Sequence, residues 1–292
     1  MSGILVLGAL HHDVVVDAPR LPEIDETLPG DAVDYRFGGK GGNQAVAAAR
    51  MGARVRMAGR VGRDAPGRLL RSTLEAAGID TMLVEEVNAP TGMSVAITVP
   101  SGDYGAVIVS GANRENTGTI RWADPPETVI LQNEIPEAAN LALLDRLPGE
   151  TRLIVNAAPA RHLPDALAAR TDVLIVNRIE AQALTGRAKP ADAASALAGL
   201  VRGAVVVTLG AEGAILFDGD GMAQFPARAV DVISTHGAGD MFTGALAAHM
   251  TEGNTLRDAL GFAVAAAALF VSMAVPDRAG ITKDAVLAFA SR

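Results

Sequence analysis

Four short apolar runs, at residues 128–131, 153–155, 173–176 and 205–208, recur along this chain, separated by helical patterns near 137–146, 164–170, 178–185 and 190–202. A run this short, with no polar face to offer water, belongs in a strand covered on both sides. Strand and helix in alternation then dictate a parallel sheet with helices on both faces. Ile4-Leu-Val-Leu7, ended by Gly8, has the same character, and further strands are read at 54–58 and 82–87 around a helix at 64–77. The chain is therefore expected to be α/β with a mostly parallel central sheet. Ligands of such sheets collect at the carboxyl ends of the strands. Asn133 and Glu134, Asn156, Asn177, and Thr208 with Gly210 stand at those ends. Each alone reads as an ordinary strand-end cap; four successive strands ending this way mark a site.

Two insertions interrupt the alternation. Val14-Val-Val16 is a strand candidate followed by Pro19, Pro22 and Pro29, which suggest loops and edge strands. Residues 94–99 and 104–109 alternate around Gly102-Asp103 and read as a hairpin. This antiparallel patch predicts a small β-sheet lid, inserted from about 12–37 and 90–112 into a single domain over 1–292. Edge strands in such a patch pair with another subunit, so a homodimer through the lid is expected.

Two glycine-rich stretches open helices. Gly38-Gly-Lys-Gly-Gly-Asn43 precedes an Ala-rich helix from 44 to 51 that Gly52 stops. Residues 228–233 read as a short extended segment, and Ser234-Thr-His-Gly-Ala-Gly-Asp240 leads into a second helix with Met241, Ala245 and Ala248 on its apolar face. A helix N-terminus offers free N–H groups and the positive end of a dipole, and small side chains let an anion approach the backbone. Asp240 would repel that anion unless it serves the chemistry. An anion hole beside a base is what phosphoryl transfer to a hydroxyl requires. The plainer alternative is a glycine-rich turn with Asp240 as a first-turn helix charge. Lys40 reads either as a solvated charge or, among four glycines and Asn43, as a group that meets a polar ligand.

Other chemistries find less support. No Ser or Thr follows Lys40 and residue 34 is Asp, so the first stretch is not a P-loop. No glycine fingerprint follows the first strand, which argues against a nicotinamide oxidoreductase. His11 and His12 are strand neighbours facing opposite ways, poor partners for one metal. Net charge is −8 with no basic block, so no nucleic-acid partner is expected. Cysteine is absent, which rules out a disulfide framework or a thiol nucleophile and suits a cytoplasmic location. No signal peptide is read, and the longest apolar stretch, 262–271, is too short to span a bilayer and reads as a buried helix, so no membrane partner is expected.

The first glycine stretch, with Gly52 and Gly62, resembles the N-terminal signature of the PfkB carbohydrate kinases. Ser234 to Asp240, with Gly244, resembles their C-terminal signature, in the right order and at the right separation. Within that family the chain is most similar to the ribokinases, through Gly8 to Asp13, Ser110 to Asn113, Gln132 to Glu134, Asn156 to Arg161, Asn177 to Glu180 and Thr208 to Gly213. The resemblance implies a ribokinase-like three-layer sandwich with a small β-sheet lid, and ATP-dependent phosphorylation of the hydroxymethyl group of a ribose-like sugar. It implies that Asp240 is the base and that the amides of Gly237, Ala238 and Gly239 hold the charge on the transferring phosphoryl. Asp13, Asn43, Gly39, Lys40 and Glu134 would bind sugar hydroxyls, with His11 in the same pocket. Thr208, Gly210 and Gly213 would line the ATP site, and Asn177 and Glu180 would position phosphates and Mg²⁺ through water.

Three departures qualify the resemblance. Ribokinases usually carry Asp where this chain has Ser234, a position that helps bind a monovalent cation. His236 lies in the same loop, and the stretch from Met273 to Gly280 departs from the ribokinase spelling, which leaves K⁺ dependence open. His11 stands where ribokinases commonly have Asn, which leaves open a nucleoside, pseudouridine or fructose-type acceptor. A sugar-binding regulator that has lost catalysis is the alternative from another class.

Overall fold

The computed structural model describes residues 3–100, 104–122 and 124–291. Its first half runs β1 (Ile4–Leu7), β2 (His11–Asp17), β3 (Ala32–Gly38), α1 (Lys40–Arg50), β4 (Val55–Gly62), α2 (Ala65–Ala76), β5 (Asp80–Val87), β6 (Met93–Thr98) and β7 (Tyr104–Val109). Next come β8 (Thr128–Gln132), α3 (Glu137–Leu144), β9 (Arg152–Asn156), α4 (Asp165–Ala168), β10 (Val173–Asn177), α5 (Arg178–Thr185), α6 (Pro190–Ala198) and β11 (Ala204–Thr208). The last part holds β12 (Ala214–Asp218), β13 (Gly221–Phe225), α7 (Ala238–Thr251), α8 (Leu256–Val271) and α9 (Lys283–Ala290).

The expected α/β sandwich is what forms. Nine strands make one sheet in the order β13-β12-β11-β10-β9-β8-β1-β4-β5, parallel from β11 to β5. Strand alternation sends Ile4, Val6, Ile130, Ile154, Ile175 and Val206 into one core with α1, α7 and α8. Leu5, Leu7, Val129, Leu153, Leu174 and Val205 enter a second core on the opposite face, with α3 to α6. A strand buried on both faces has no room for a polar residue in its middle, which is why these runs were legible. The small sheet has the order β3-β2-β6-β7, with β2 and β6 parallel and the other pairs antiparallel. The turn read at Gly102-Asp103 lies outside the described residues. Among the described residues no helix is long and apolar enough to cross a membrane; the stretch at 262–271 lies inside α8, mostly buried.

Three details differ from the sequence reading. The antiparallel hairpin β12–β13 extends the sheet at one edge. The outer strand β13 carries polar and half-exposed positions, as an edge permits, whereas β12 is itself an apolar run, Ala214-Ile-Leu-Phe217, that the alternation of strand and helix left out because no helix separates it from β11. Residues 228–233 form a loop and not a strand. Helix α1 starts at Lys40, four residues before the expected point, so its glycines lie inside its first turn. There they are packing devices: a Cβ on Gly41 would sit 2.7 Å from Gly8 Cα. The helix thus begins directly against the exit of β1. The same economy brings α7 onto α1, where a Cβ on Gly244 would lie 2.6 Å from the Gln44 carbonyl oxygen and 2.7 Å from the Ala48 nitrogen.

Candidate active site

Parallel pairing sets the carboxyl ends of β1, β8, β9, β10 and β11 in one row. The register places Gln132 beside Asn156 and Asn177 beside Thr208. Helices α1 and α7, packed on the same face of the sheet, deliver their N-terminal turns to this row. Gly42 donates its N–H to the Ala9 carbonyl at 3.1 Å, and the Lys40 N–H reaches the Glu134 carboxylate at 2.7 Å. The first helix is thereby tied to the ends of β1 and β8.

Asp240 is the third residue of α7 and only 7% exposed. One carboxylate oxygen accepts from Gln44 Nε2 at 2.9 Å and the other from Asn43 Nδ2 at 3.2 Å. Gln44, fully buried, is held in turn: its Oε1 accepts from Gln132 Nε2 at 2.8 Å, and its Nε2 also approaches Asn156 Oδ1 at 3.3 Å. A chain of amides therefore fixes the carboxylate from behind. Gly237 caps α7 with φ 81°, a left-handed conformation that a side chain would strain. A Cβ built on Gly239 meets nothing within 4 Å, so this turn faces open space. The Ala238 N–H is already donated to the Thr235 carbonyl at 3.1 Å, so an anion in the cradle would have to share it.

Burial raises the Asp240 carboxyl above the usual carboxylate range, against the opposing pull of the Lys40 charge, the Gln44 and Asn43 donors and His236. Burial also raises Glu134, although the Lys40 N–H and the charges of His11 and Lys40 work the other way. Glu180 is raised by burial too, and its carboxylate accepts from the Asn177 N–H at 2.7 Å while Asn177 Oδ1 accepts from the Glu180 N–H at 2.8 Å. The charge of Lys40 favours ionisation of all three carboxylates, and Asp240 disfavours it in the other two. Such mutual coupling means the three share one site. Asp13 completes the polar side: it accepts from Ser94 Oγ at 2.6 Å, and a Cβ on Gly38 would fall 2.0 Å from its Oδ2.

Two cavities flank the first turn of α7. One, of about 490 Å³, is walled by Phe242, Val264, Ala267 and Val271 and reaches Thr208, Gly210, Gly213, Ala238 and Gly239. Its apolar walls suit a flat aromatic base, and its polar end touches the helix N-terminus. The other, of about 400 Å³, includes Asn43, Ser234, His236, Gly237, Asp240 and Arg278. A carboxylate able to take a proton, a helix N-terminus and an apolar slot thus converge on the first turn of α7.

The profile of the pfkB family carbohydrate kinase matches residues 1–275. The chain belongs to the pfkB family of carbohydrate kinases. The ribokinase of Bacillus subtilis (strain 168) is 33% identical over 277 residues, spanning 93% of each chain. The structure of Arabidopsis thaliana ribokinase complexed with ribose and ATP is 30% identical, with a TM-score of 0.92, and the match covers 100% of this chain and 99% of that one. Ribokinase from Thermotoga maritima matches at a TM-score of 0.92 and 28% identity over 100% of both chains.

In this carbohydrate kinase, Asp13, Gly39, Lys40, Asn43, Glu134, Asn177, Glu180 and Asp240 come from β2, the start of α1, the end of β8, β10, α5 and α7, and the fold gathers them at one end of the sheet. His11 is 4% exposed, and Ser234 and His236 face Arg278. Sequence reasoning passed over Gln44 and Gln132, the amides that fix Asp240, and Ser94, which holds Asp13. The available signal for Gln44 was a second amide directly after Asn43, at the head of an Ala-rich helical run. Nothing local marked Ser94, whose role arises only where β6 pairs with β2.

Proposed function

We propose that this kinase transfers the γ-phosphoryl group of ATP to the hydroxymethyl oxygen of a ribose-like sugar. One observation carries the reading: a buried carboxylate, held from behind by two amides, stands at an open helix N-terminus beside an apolar slot. In the proposed step Asp240 accepts the proton of the sugar hydroxyl while its oxygen bonds to phosphorus and ADP departs. The turn Gly237–Gly239 meets the charge that builds on the phosphoryl oxygens, and it is in place before reaction. The base of ATP occupies the slot beside Thr208, Gly210 and Gly213. Asp13, Gly39, Lys40, Asn43 and Glu134 bind the sugar. His11 Nε2 is buried without a partner among the described residues, and a sugar hydroxyl would satisfy it. The ribose and ATP of the Arabidopsis structure support this pair of substrates.

Mg²⁺ fits the donor set. It prefers carboxylate and phosphate oxygens and keeps several waters, so it needs no all-protein cage. Among the described residues no group of three or more His, Cys, Asp or Glu could hold a metal, so Glu180, with Asn177 paired to it, would position the ion through water. When bound, the ion would neutralise phosphate charge. The lid reading further supports a homodimer: β7 is an outer strand of the small sheet and exposes Val107, Ile108 and Val109. The need for ATP and the lack of cysteine suit the cytoplasm.

ADP release with ribose, deoxyribose, fructose, adenosine and pseudouridine tests the proposal. Ribose is expected to give the highest kcat/KM, with phosphate on its hydroxymethyl oxygen. A nucleoside that outpaces every sugar would move the enzyme to the nucleoside kinases. No ADP from any acceptor would leave a sugar-binding regulator and sink the reading.

A further inference from the structure

The loop into α7 encloses a cation of its own. Arg278 leaves the helical turn Val275–Gly280 and passes beneath residues 234–237, where it is 6% exposed. Its NH2 group donates to the Ser234 carbonyl at 2.6 Å, its NH1 group to the His236 carbonyl at 3.1 Å, and its Nε to the Met273 carbonyl at 3.2 Å. The guanidinium lies 4.2 Å from the centre of the Phe270 ring, and a Cβ built on Gly237 would meet the edge of that ring at 3.4 Å. Arg50 ties down the backbone at residue 278 by donating to the Arg278 carbonyl at 3.1 Å. No ion pair joins Arg278 to a carboxylate among the described residues. A buried charge is tolerable only when its donors are matched, and here carbonyl dipoles and an aromatic face do the matching.

Converging backbone carbonyls are also how a protein replaces the water shell of K⁺. The residues here do not fit that ion. The Ser234 and His236 oxygens already accept from the guanidinium, a second positive charge beside it would be repelled, and residue 234 supplies a hydroxyl where an anionic side chain would favour a metal.

We propose that Arg278 is the resident cation of this loop: a positioning residue that holds Gly237 and the first turn of α7 and makes the kinase independent of monovalent metal ions. Through Ser234 and His236 it braces the segment that ends in the left-handed cap, three residues before Asp240. For its rate readouts alone, the inference rests on the kinase reading above.

The test compares wild type, Arg278→Lys and Arg278→Met in potassium-free buffer and in potassium chloride, at constant ionic strength. Wild-type turnover and melting temperature are expected not to respond to K⁺. Met fills a similar volume without charge, so Arg278→Met should lose about ten- to hundredfold in kcat with little change in sugar KM. Added K⁺ or low guanidinium ion should restore part of that loss, and K⁺ should raise the melting temperature of this variant alone. Arg278→Lys keeps a cation and should retain most of the turnover. A wild type activated or stabilised by K⁺ overturns the proposal, as does an Arg278→Met protein with full turnover or with a loss that neither cation restores. If Arg278→Met does not fold, the wild-type titrations and Arg278→Lys decide. The melting data need no turnover, so they remain decisive even if the sugar reading fails.

Discussion

Asp240→Asn separates catalysis from stability. The substitution keeps the shape of the side chain and leaves Gly237 to Gly239 untouched, so the proton acceptor is lost with the cradle in place. A positioned general base contributes on the order of 10² to 10⁴ in rate, which corresponds to about 3–5 kcal/mol in barrier height. Stability should move differently. Burial raises the carboxyl pKa in the folded chain above its unfolded value, so the folded state holds the proton more tightly. The contribution of this group to stability is therefore fullest below the unfolded pKa and is lost as pH climbs through the raised folded value. At neutral pH the ionised carboxylate is a burden that Asn lacks. Against this, Gln44 Nε2 and Asn43 Nδ2 both donate to residue 240, and an amide offers only one oxygen, so one hydrogen bond worth ~1 kcal/mol is forfeited. The variant should melt near or above wild type at neutral pH and lose that advantage in acid, while kcat collapses at saturating sugar and ATP. ADP-coupled initial rates and thermal melts across a pH series make the measurement. In wild type, the acid limb of kcat/KM should lie above the ordinary carboxylate range, because only the ionised form accepts a proton. A loss in kcat below about tenfold, or a loss that simply follows unfolding, would refute the assignment.

Other positions test the surrounding architecture. Ser94→Ala removes the 2.6 Å donor to Asp13, and sugar KM should rise by about five- to tenfold with kcat nearly unchanged. Gly244→Val drives a side chain into the Gln44 and Ala48 backbone of α1; a loss of about 1–3 kcal/mol in stability is expected in denaturant melts, with kcat falling as Asp240 shifts. Ala267→Phe partly fills the 490 Å³ slot, so the KM for ATP should rise about tenfold or more while sugar binding is spared, as steady-state kinetics would report.

The sequence by itself determined the layers. Runs such as Ile4-Leu-Val-Leu7 and residues 173–176 can be satisfied only between two apolar faces, and that need is local to each run. It also marked the two helix starts, because glycines beside Lys40 and Asp240 signal close backbone approach wherever they occur. The outer strand β13 was less legible, since an edge strand carries no obligatory pattern. What only the tertiary structure decided is which side chains complete the site. Gln44 reaches Asp240 across 196 positions of chain, Ser94 reaches Asp13 across 81, and Arg278 reaches Ser234 across 44. Each is a polar residue made significant by a partner far away in sequence. Local periodicity carries no information about such pairs, because packing of α7 on α1, of β6 on β2 and of the final turn beneath the loop creates the environment that gives them a role.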